Sequence, residues 1–407
     1  MTLLAERLPG VRSAAMSLML PCGAASDPAG SLGAANVLSD LVLRGAGDRD
    51  SRQLCEYLDG LGLQRGSGAG ARFTRFSAAA LAENVFESLP AYADVLRRPH
   101  LTAEGFEAVR DLCLQSLESL EDDPRSKAML KLRECFWPEP LGRSQYGRRE
   151  DLESMTPDAV RAEFARRYVP DGTLLVVAGD VNFDALQAQA EALFGDWTAV
   201  ERERIDIGEP GGRYAFIEQQ TEQTHIGLAY PTVPETDPDY YVVRLAVEVL
   251  GGGMSGRLFT EVREKRALCY SVSANYSATN GPWVGGRSDA FGGVLCYAGT
   301  SNERAQQTLD QVAIEVRRLY DGVTADELER ARTGLKASTV MSGESTSNRS
   351  GSLAHDWIAR RRLRGLDEIT QSIDAVTLEQ VNDYLARTRP EAFTLVVLGP
   401  KELARPS

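Results

Sequence analysis

Apolar residues along this chain recur at two spacings, every second position or every third to fourth, and the switches between them mark its predicted elements. The first part reads as a strand over residues 11–20, with the chain start taken as a hairpin entering a sheet, then helices over 34–43 and 50–61. The second of these helices is N-capped by Asp50 or Ser51, whose side-chain oxygens can accept from an unpaired backbone N–H. Residues 71–80 and their continuation alternate as a hairpin. Helices follow over 83–97, 102–121, 124–136 and 156–168, and a strand over 173–178 closes the run. Thr102 and Thr156 stand where N-caps belong, each with an acid in the next turn, and Pro124 suits a helical first turn. The second part reads strand 224–230, helix 239–250, strands around Trp283 and over 294–300, helices from Glu303, Thr324 and Thr377, and a closing strand 394–398. Polar residues 342–352, SGESTSNRSGS, predict a solvated bend within the helical part.

Residues 251–276, GGGMSGRLFTEVREKRALCYSVSANY, hold the sharpest change of period. Their glycines permit an abrupt turn. Leu258, Phe259 and Val262 then recur at helical spacing, and from Leu268 the residues Leu268, Tyr270, Val272, Ala274 and Tyr276 alternate with polar or small ones. The pattern predicts a helix feeding a strand.

The two parts are similar to one another. TAEGFEAVRDLCLQSL, from Thr102, parallels TADELERARTGLKAST, from Thr324, and the run from Met155 parallels that from Val376. The offsets stay nearly constant: Thr102 to Thr324 is 222, Val160 to Val381 is 221 and Gly179 to Gly399 is 220. Two spaced matches in one register predict a duplicated domain. Residues 197–213 are polar, charged and glycine-ended, as a connection should be. The expected organisation is a first domain over 1–198, a linker over 199–213 and a second domain over 214–407, each α+β with a mostly antiparallel sheet packed with helices.

Composition narrows the function classes. In 407 residues, 43% hydrophobic and 25% charged content is that of a globular protein of about two domains. A net charge of −13 argues against a nucleic-acid partner. Six scattered cysteines show no C-x-x-C spacing and read as small buried hydrophobes, with a Cys269–Cys296 disulfide left open. Glu6 and Pro9 spoil a signal peptide and Pro21 spoils a lipoprotein cleavage site before Cys22, so a cytoplasmic location is expected, with no membrane-spanning run. Gly66–Ala71 fits a loose dinucleotide pattern but is followed by strand alternation, and Ser255 has neither the flanks of a nucleophile elbow nor a histidine partner. His100, His225 and His355 lack ligand spacing and read as structural.

The run 251–276 resembles the second-half signature of the insulinase/pitrilysin-type zinc peptidases: a Gly-rich turn, an R-L-F helix and a strand with the pattern REK.GL.YSV. The resemblance extends over essentially the whole chain and implies two homologous tandem domains forming half of a clamshell chamber. It also implies an Arg and a Tyr seven residues apart that hold substrate in the active site, here Arg263 and Tyr270. A guanidinium and a phenol are donors suited to a carbonyl oxygen gaining negative charge. Without the surrounding run, the same two residues read as a surface arginine and a core tyrosine.

The family also carries H-x-x-E-H on a first-domain helix, with two His ligands for zinc, a Glu that activates water, and a later Glu completing the site. In this chain those positions hold Asn36, Ser39 and Asp40, and the later ligand aligns with Ser116, 76 residues beyond Asp40. The resemblance thus implies a chain without its own metal, catalytically silent alone. In heterodimeric branches of the family one chain carries H-x-x-E-H and the other supplies Arg and Tyr. The expected partner is accordingly a homologous zinc-bearing subunit acting on peptides, with a homodimer when the chain is isolated. The other readings are a non-enzymatic peptide-binding or assembly protein of the same fold, and an active peptidase with ligands of an unconventional kind.

Overall fold

The computed structural model describes every residue except 201, 203, 282–288 and 407. The expectation of a strand around Trp283 falls outside the described residues. In chain order the first half comprises β1 (Thr2–Arg7), β2 (Ser13–Leu20), α1 (Ala34–Leu41), β3 (Gly45–Ala46), β4 (Arg49–Asp50), α2 (Ser51–Gly60), β5 (Gln64–Ala69) and β6 (Thr74–Leu81). It continues with α3 (Ala82–Arg97), α4 (Ala103–Ser119), α5 (Pro124–Phe136), α6 (Arg149–Ser154), α7 (Pro157–Arg167), β7 (Leu174–Gly179) and α8 (Phe183–Phe194). The second half holds β8 (Tyr214–Glu218), β9 (Gln223–Thr232), α9 (Tyr240–Gly251), a π-helix (Phe259–Glu264), β10 (Ser271–Asn280) and β11 (Ala290–Ser301). It ends with α10 (Ala305–Leu319), α11 (Ala325–Gly343), α12 (Thr346–Arg360), α13 (Leu366–Asp374), α14 (Leu378–Arg387) and β12 (Thr394–Gly399).

Each half is built on a five-stranded sheet, and the two sheets repeat strand for strand: β1-β7-β2-β6-β5 and β8-β12-β9-β11-β10. In both, the edge pair β1–β7 or β8–β12 is parallel and the other pairings are antiparallel. The mixed α and β duplication expected from the 220-residue offset is the architecture found. Helix starts repeat as well. Thr102, Thr156, Thr324 and Thr377 each accept a hydrogen bond from the backbone N–H three residues on, as an N-cap does. Asp50 caps α2, with Gln53 returning the bond.

The beginning of the chain departs from expectation. β1 and β2 are not a hairpin, because β7 lies between them and pairs with both. β7 (LLVVAG) and β12 (TLVVLG) are apolar without alternation, which is what a strand covered on both faces requires. The hairpin placed at 71–80 is formed instead by β5 and β6, so the glycine-rich run from Gly66 is strand.

What covers the second face is the main surprise. One face of each sheet packs on helices of its own half, giving the two large cores. The opposite face is covered by one helix from the other half. Leu132 and Phe136 of α5 lie on Ala229, Leu295 and Val396 of the second sheet. Leu353, Ala354 and Ile358 of α12 lie on Leu4, Leu174 and Val176 of the first. Gly293 of β11 is required there, since a Cβ would come within 2.3 Å of the Phe136 ring.

This exchange narrows the solvated bend expected at 342–352 to Glu344 and Ser345, between α11 and α12. From Thr346 the stretch is helical; Ser347, Asn348 and Ser352 are exposed, whereas Arg349 and Ser350 are buried against the first half. Buried Arg349 pairs with Glu6 at 2.6 Å, and buried Ser350 Oγ meets Ser17 Oγ at 3.1 Å. Residues 196–213 contain no helix or strand among the described positions, yet the segment is held down. Arg202 donates to the carbonyls of Pro21, Arg167, Val169 and Asp171. All six cysteines are unpaired thiols, so Cys269 and Cys296 form no disulfide. Among the described residues no helix is long and apolar enough to cross a membrane.

Candidate active site

α1 is set in place by a buried ion pair that left no trace in the sequence pattern. Asp27 accepts from the backbone N–H of Gly33 (2.8 Å) and Ala35 (3.0 Å), capping the helix. It also pairs with Arg167 of α7 at 2.6 Å, with both side chains 1% exposed. A carboxylate at a helix N-terminus is favoured by the helix dipole. Gly33 itself has φ 104, a left-handed turn that glycine adopts without strain.

The four positions aligned with the metal motif turn to local partners. Asn36 Nδ2 donates to Cys113 Sγ across the α1–α4 contact at 3.5 Å. Ser39 Oγ donates to the Asn36 carbonyl at 2.7 Å, and Asp40 pairs with Arg44 at 3.1 Å. Ser116 Oγ donates to the Leu112 carbonyl one turn back, at 2.9 Å. The α4 side chain in contact with Asn36 is therefore Cys113, one turn before Ser116, a neighbour that spacing alone did not single out. Its thiol is pushed up to about 11, by burial first and then by the Asp40 charge, which leaves it protonated at neutral pH. A neutral thiol, an amide and a hydroxyl beside a single carboxylate do not fit Zn²⁺, which binds thiolate, imidazole and carboxylate. Among the described residues no three His, Cys, Asp or Glu groups converge on a metal position. His100 contacts the Gly47 carbonyl, His225 the Tyr297 hydroxyl and His355 the Glu235 carboxylate, three separate places in the fold.

The second-half motif is organised differently. α9 ends at Gly251, where a Cβ would lie 2.5 Å from the Ala274 backbone nitrogen, so only glycine admits this approach to β10. Arg257 anchors the next turn by a two-pronged pair with Glu327, at 2.7 and 2.9 Å, while Glu327 also closes the capping box of α11. Leu258 and Val262 are fully buried beneath. The helix expected from this spacing is present but wound as a π-helix, with Lys265 N–H bonded to the Thr260 carbonyl. Such turns recur at functional sites. The strand begins at Ser271 and not at Leu268, because Ala267 turns through φ 50. Alternation is thereby released at its start: Cys269 goes inward and Tyr270 outward, 79% exposed.

Four basic residues lie in this stretch, and their commitments differ. Arg257 is held by Glu327, and Lys265 and Arg266 both pair with Glu261. Exposed Arg263 rests on the Phe259 ring at 4.8 Å, and among the described residues no carboxylate pairs with it. Arg263 and Tyr270 thus flank one turn at the mouth of β10. The aligned metal positions are on the other half, and among the described residues no hydrogen bond or ion pair joins the two sets.

The Arg257–Glu327 pair gives this anchor a pH dependence. The arginine hydrogen bonds, acting against burial, hold the Glu327 carboxyl down to about 2. A folded value below the unfolded one stabilises the protein above the ordinary glutamate value of 4.5, and the benefit drains away as pH falls towards 2. Glu327→Gln is expected to flatten this part of the acid-unfolding curve followed by circular dichroism. An unchanged curve would show that the pair contributes nothing to it.

Fold and site together define a duplicated, peptidase-like α+β protein. The family model described as insulinase (peptidase family M16) matches residues 2–148, and that of the peptidase M16 inactive domain matches 154–335. The chain belongs to this insulinase family. An uncharacterized zinc protease of Rickettsia bellii is 25% identical over 99% of this chain and 96% of its own length. Uncharacterized zinc protease Rv2782c of Mycobacterium tuberculosis is 28% identical over 97% of this chain and 90% of its own. Among solved structures, the peptidase M16 inactive domain from Pseudomonas fluorescens has the same fold, with a TM-score of 0.86, 22% identity, and 99% and 96% of the two chains covered. The periplasmic protease PqqL from Escherichia coli matches at TM-score 0.77 and 16% identity, covering 97% of this chain and 44% of that one.

Proposed function

We propose that this chain is the catalytically silent subunit of a two-chain zinc peptidase. Arg263 and Tyr270 are offered in trans to peptides bound at the zinc of a homologous H-x-x-E-H partner. The observation that carries the reading is the contrast between the two site halves. Asn36, Ser39, Asp40 and Ser116 are spent on contacts within their own helices, with α4 or with Arg44 just past α1, whereas Arg263 and Tyr270 stand exposed, their side chains with no hydrogen-bond or ion-pair partner among the described residues. A scissile carbonyl gaining negative charge is the acceptor these two donors suit, and zinc would be the partner's contribution. The division into domains 1–198 and 214–407 around a 199–213 linker, and a cytoplasmic location, belong to the same proposal.

A second reading, a non-enzymatic peptide-binding or assembly protein, draws support from a chain of complex III2 of Candida albicans with the same fold, at TM-score 0.78 and 16% identity over 98% of this chain and 93% of that one. The deciding experiment recovers a tagged copy from its source cells and assays chelator-sensitive cleavage of a quenched fluorescent peptide. The recombinant chain alone is the control. Activity in the recovered material and none in the control is the expected outcome. Inactivity in both, with the chain recovered alone or with unrelated proteins, would transfer the case to the second reading.

A further inference from the structure

Where the two halves meet beside the start of α12, a cavity of about 710 Å³ is walled by β6, α9, α11, α12 and α13. Three of the basic residues around it already have carboxylates: Arg349 with Glu6 (2.6 Å), Arg364 with Asp356 (2.5 Å) and His355 with Glu235 (2.5 Å). Two do not. Arg75 of the first half donates Nη2 to Ser17 Oγ at 3.0 Å, and its Nε is buried without a partner. Arg244 of the second half donates to the Tyr240 hydroxyl at 2.8 Å and stands near the Tyr240 and Tyr276 rings, at 5.7 and 5.9 Å. Glu235 and Glu248 act on Arg244 from beyond ion-pair distance. Asp356 is the acid in the cavity wall, and it is committed to Arg364.

The remaining wall has an apolar side, Leu335 of α11 with Leu366, Ile369 and Ile373 of α13, and a polar side. The first turns of the 15-residue α12 contribute Ser347, Asn348 and Ser352, and the end of α11 adds Thr339. Gly351 leaves the Arg75 guanidinium uncovered, since a Cβ there would lie 3.5 Å from its Nη2. A helix N-terminus, two guanidinium groups lacking carboxylates and several hydroxyls are complementary to tetrahedral or planar oxyanions.

We propose that this cavity binds a small oxyanion, a phosphate or a terminal carboxylate, between Arg75 and Arg244. The ligand would bridge the two halves at the junction that the α12 exchange creates. Isothermal titration calorimetry at fixed ionic strength, with inorganic phosphate as probe, tests it on the full chain. The wild type is expected to bind saturably at one site. Arg75→Gln and Ser347→Asp are each expected to weaken binding by about tenfold or more, the loss typical of a charge-assisted contact. Ser347 is exposed in the first turn of α12, where an aspartate suits the helix, so this variant tests the site with folding intact. A second arm compares a short peptide bearing a free C-terminal carboxylate with its amide. Phosphate binding alone assigns the site to free phosphate, and binding of the acid but not the amide assigns it to peptide ends. If neither probe binds the wild type, or if both variants bind like the wild type, the proposal is overturned.

Discussion

In the proposed two-chain peptidase, Arg263→Ala is expected to lower kcat/KM by about 10²- to 10³-fold, with kcat carrying most of the loss. The reason is that a donor aimed at developing charge acts on the transition state more than on the bound peptide. Tyr270→Phe, which removes one hydroxyl and nothing else, is expected to fall in the same direction. Arg263→Lys is expected to recover only part, since an ammonium keeps the charge but not the planar fork. Both residues are exposed, so thermal unfolding of the isolated variants should match wild type. Steady-state kinetics of the reconstituted pair, with Lys265→Ala as a surface-charge control, decide the matter. Unchanged kinetics for Arg263→Ala and Tyr270→Phe in an active assembly would remove the trans role.

The largest expected effect on stability lies at Asp27 and Arg167. Arg167→Met leaves Asp27 in the interior without its counter-ion, a change that costs about 3–5 kcal/mol in buried pairs, whereas Asp27→Ala leaves Arg167 its second carboxylate, Glu163 at 2.6 Å, and loses less in charge pairing. The aspartate variant also strips two backbone N–H groups at the start of α1 of their acceptor. Removing both charges together should cost less than the sum of the two single changes, since neither is then left alone. Urea unfolding of the two single variants and the double variant measures this. Single variants within about 1 kcal/mol of wild type would show that the pair is solvated in a way its 1% exposure does not suggest.

Much of the fold was legible because it is written in local chemistry. The N-cap threonines, the proline opening α5, the unbroken apolar runs of β7 and β12 and the constant offset between the halves each act over a few residues or repeat in register. The start of α12 was hidden for the opposite reason. Its serines, asparagine and arginine look like a solvent-facing loop, whereas Arg349 and Ser350 find partners more than 300 positions away, in β1 and β2. Periodicity reports whether a face is apolar, and a polar interface defeats it.

The site divides along the same line. Arg263 and Tyr270 lie in a contiguous motif, and so do Asn36, Ser39 and Asp40. Cys113 and the Asp27–Arg167 pair, by contrast, are joined only by the packing of α1 on α4 and α7, and no spacing rule connects them. The π-helical winding was equally hidden, since Leu258, Phe259 and Val262 satisfy an ordinary helical pattern.

The exchange of α5 and α12 has a consequence for the nascent chain. The first sheet is complete once Gly179 has left the ribosome, but the helix that covers its outer face ends at Arg360. At roughly 5–20 residues per second, that apolar surface stays bare for on the order of ten seconds or more. The half that emerges first is therefore born incomplete and depends on sequence not yet translated. For that interval it is a natural client for a chaperone, or for α12 of a neighbouring copy, a route to swapped dimers.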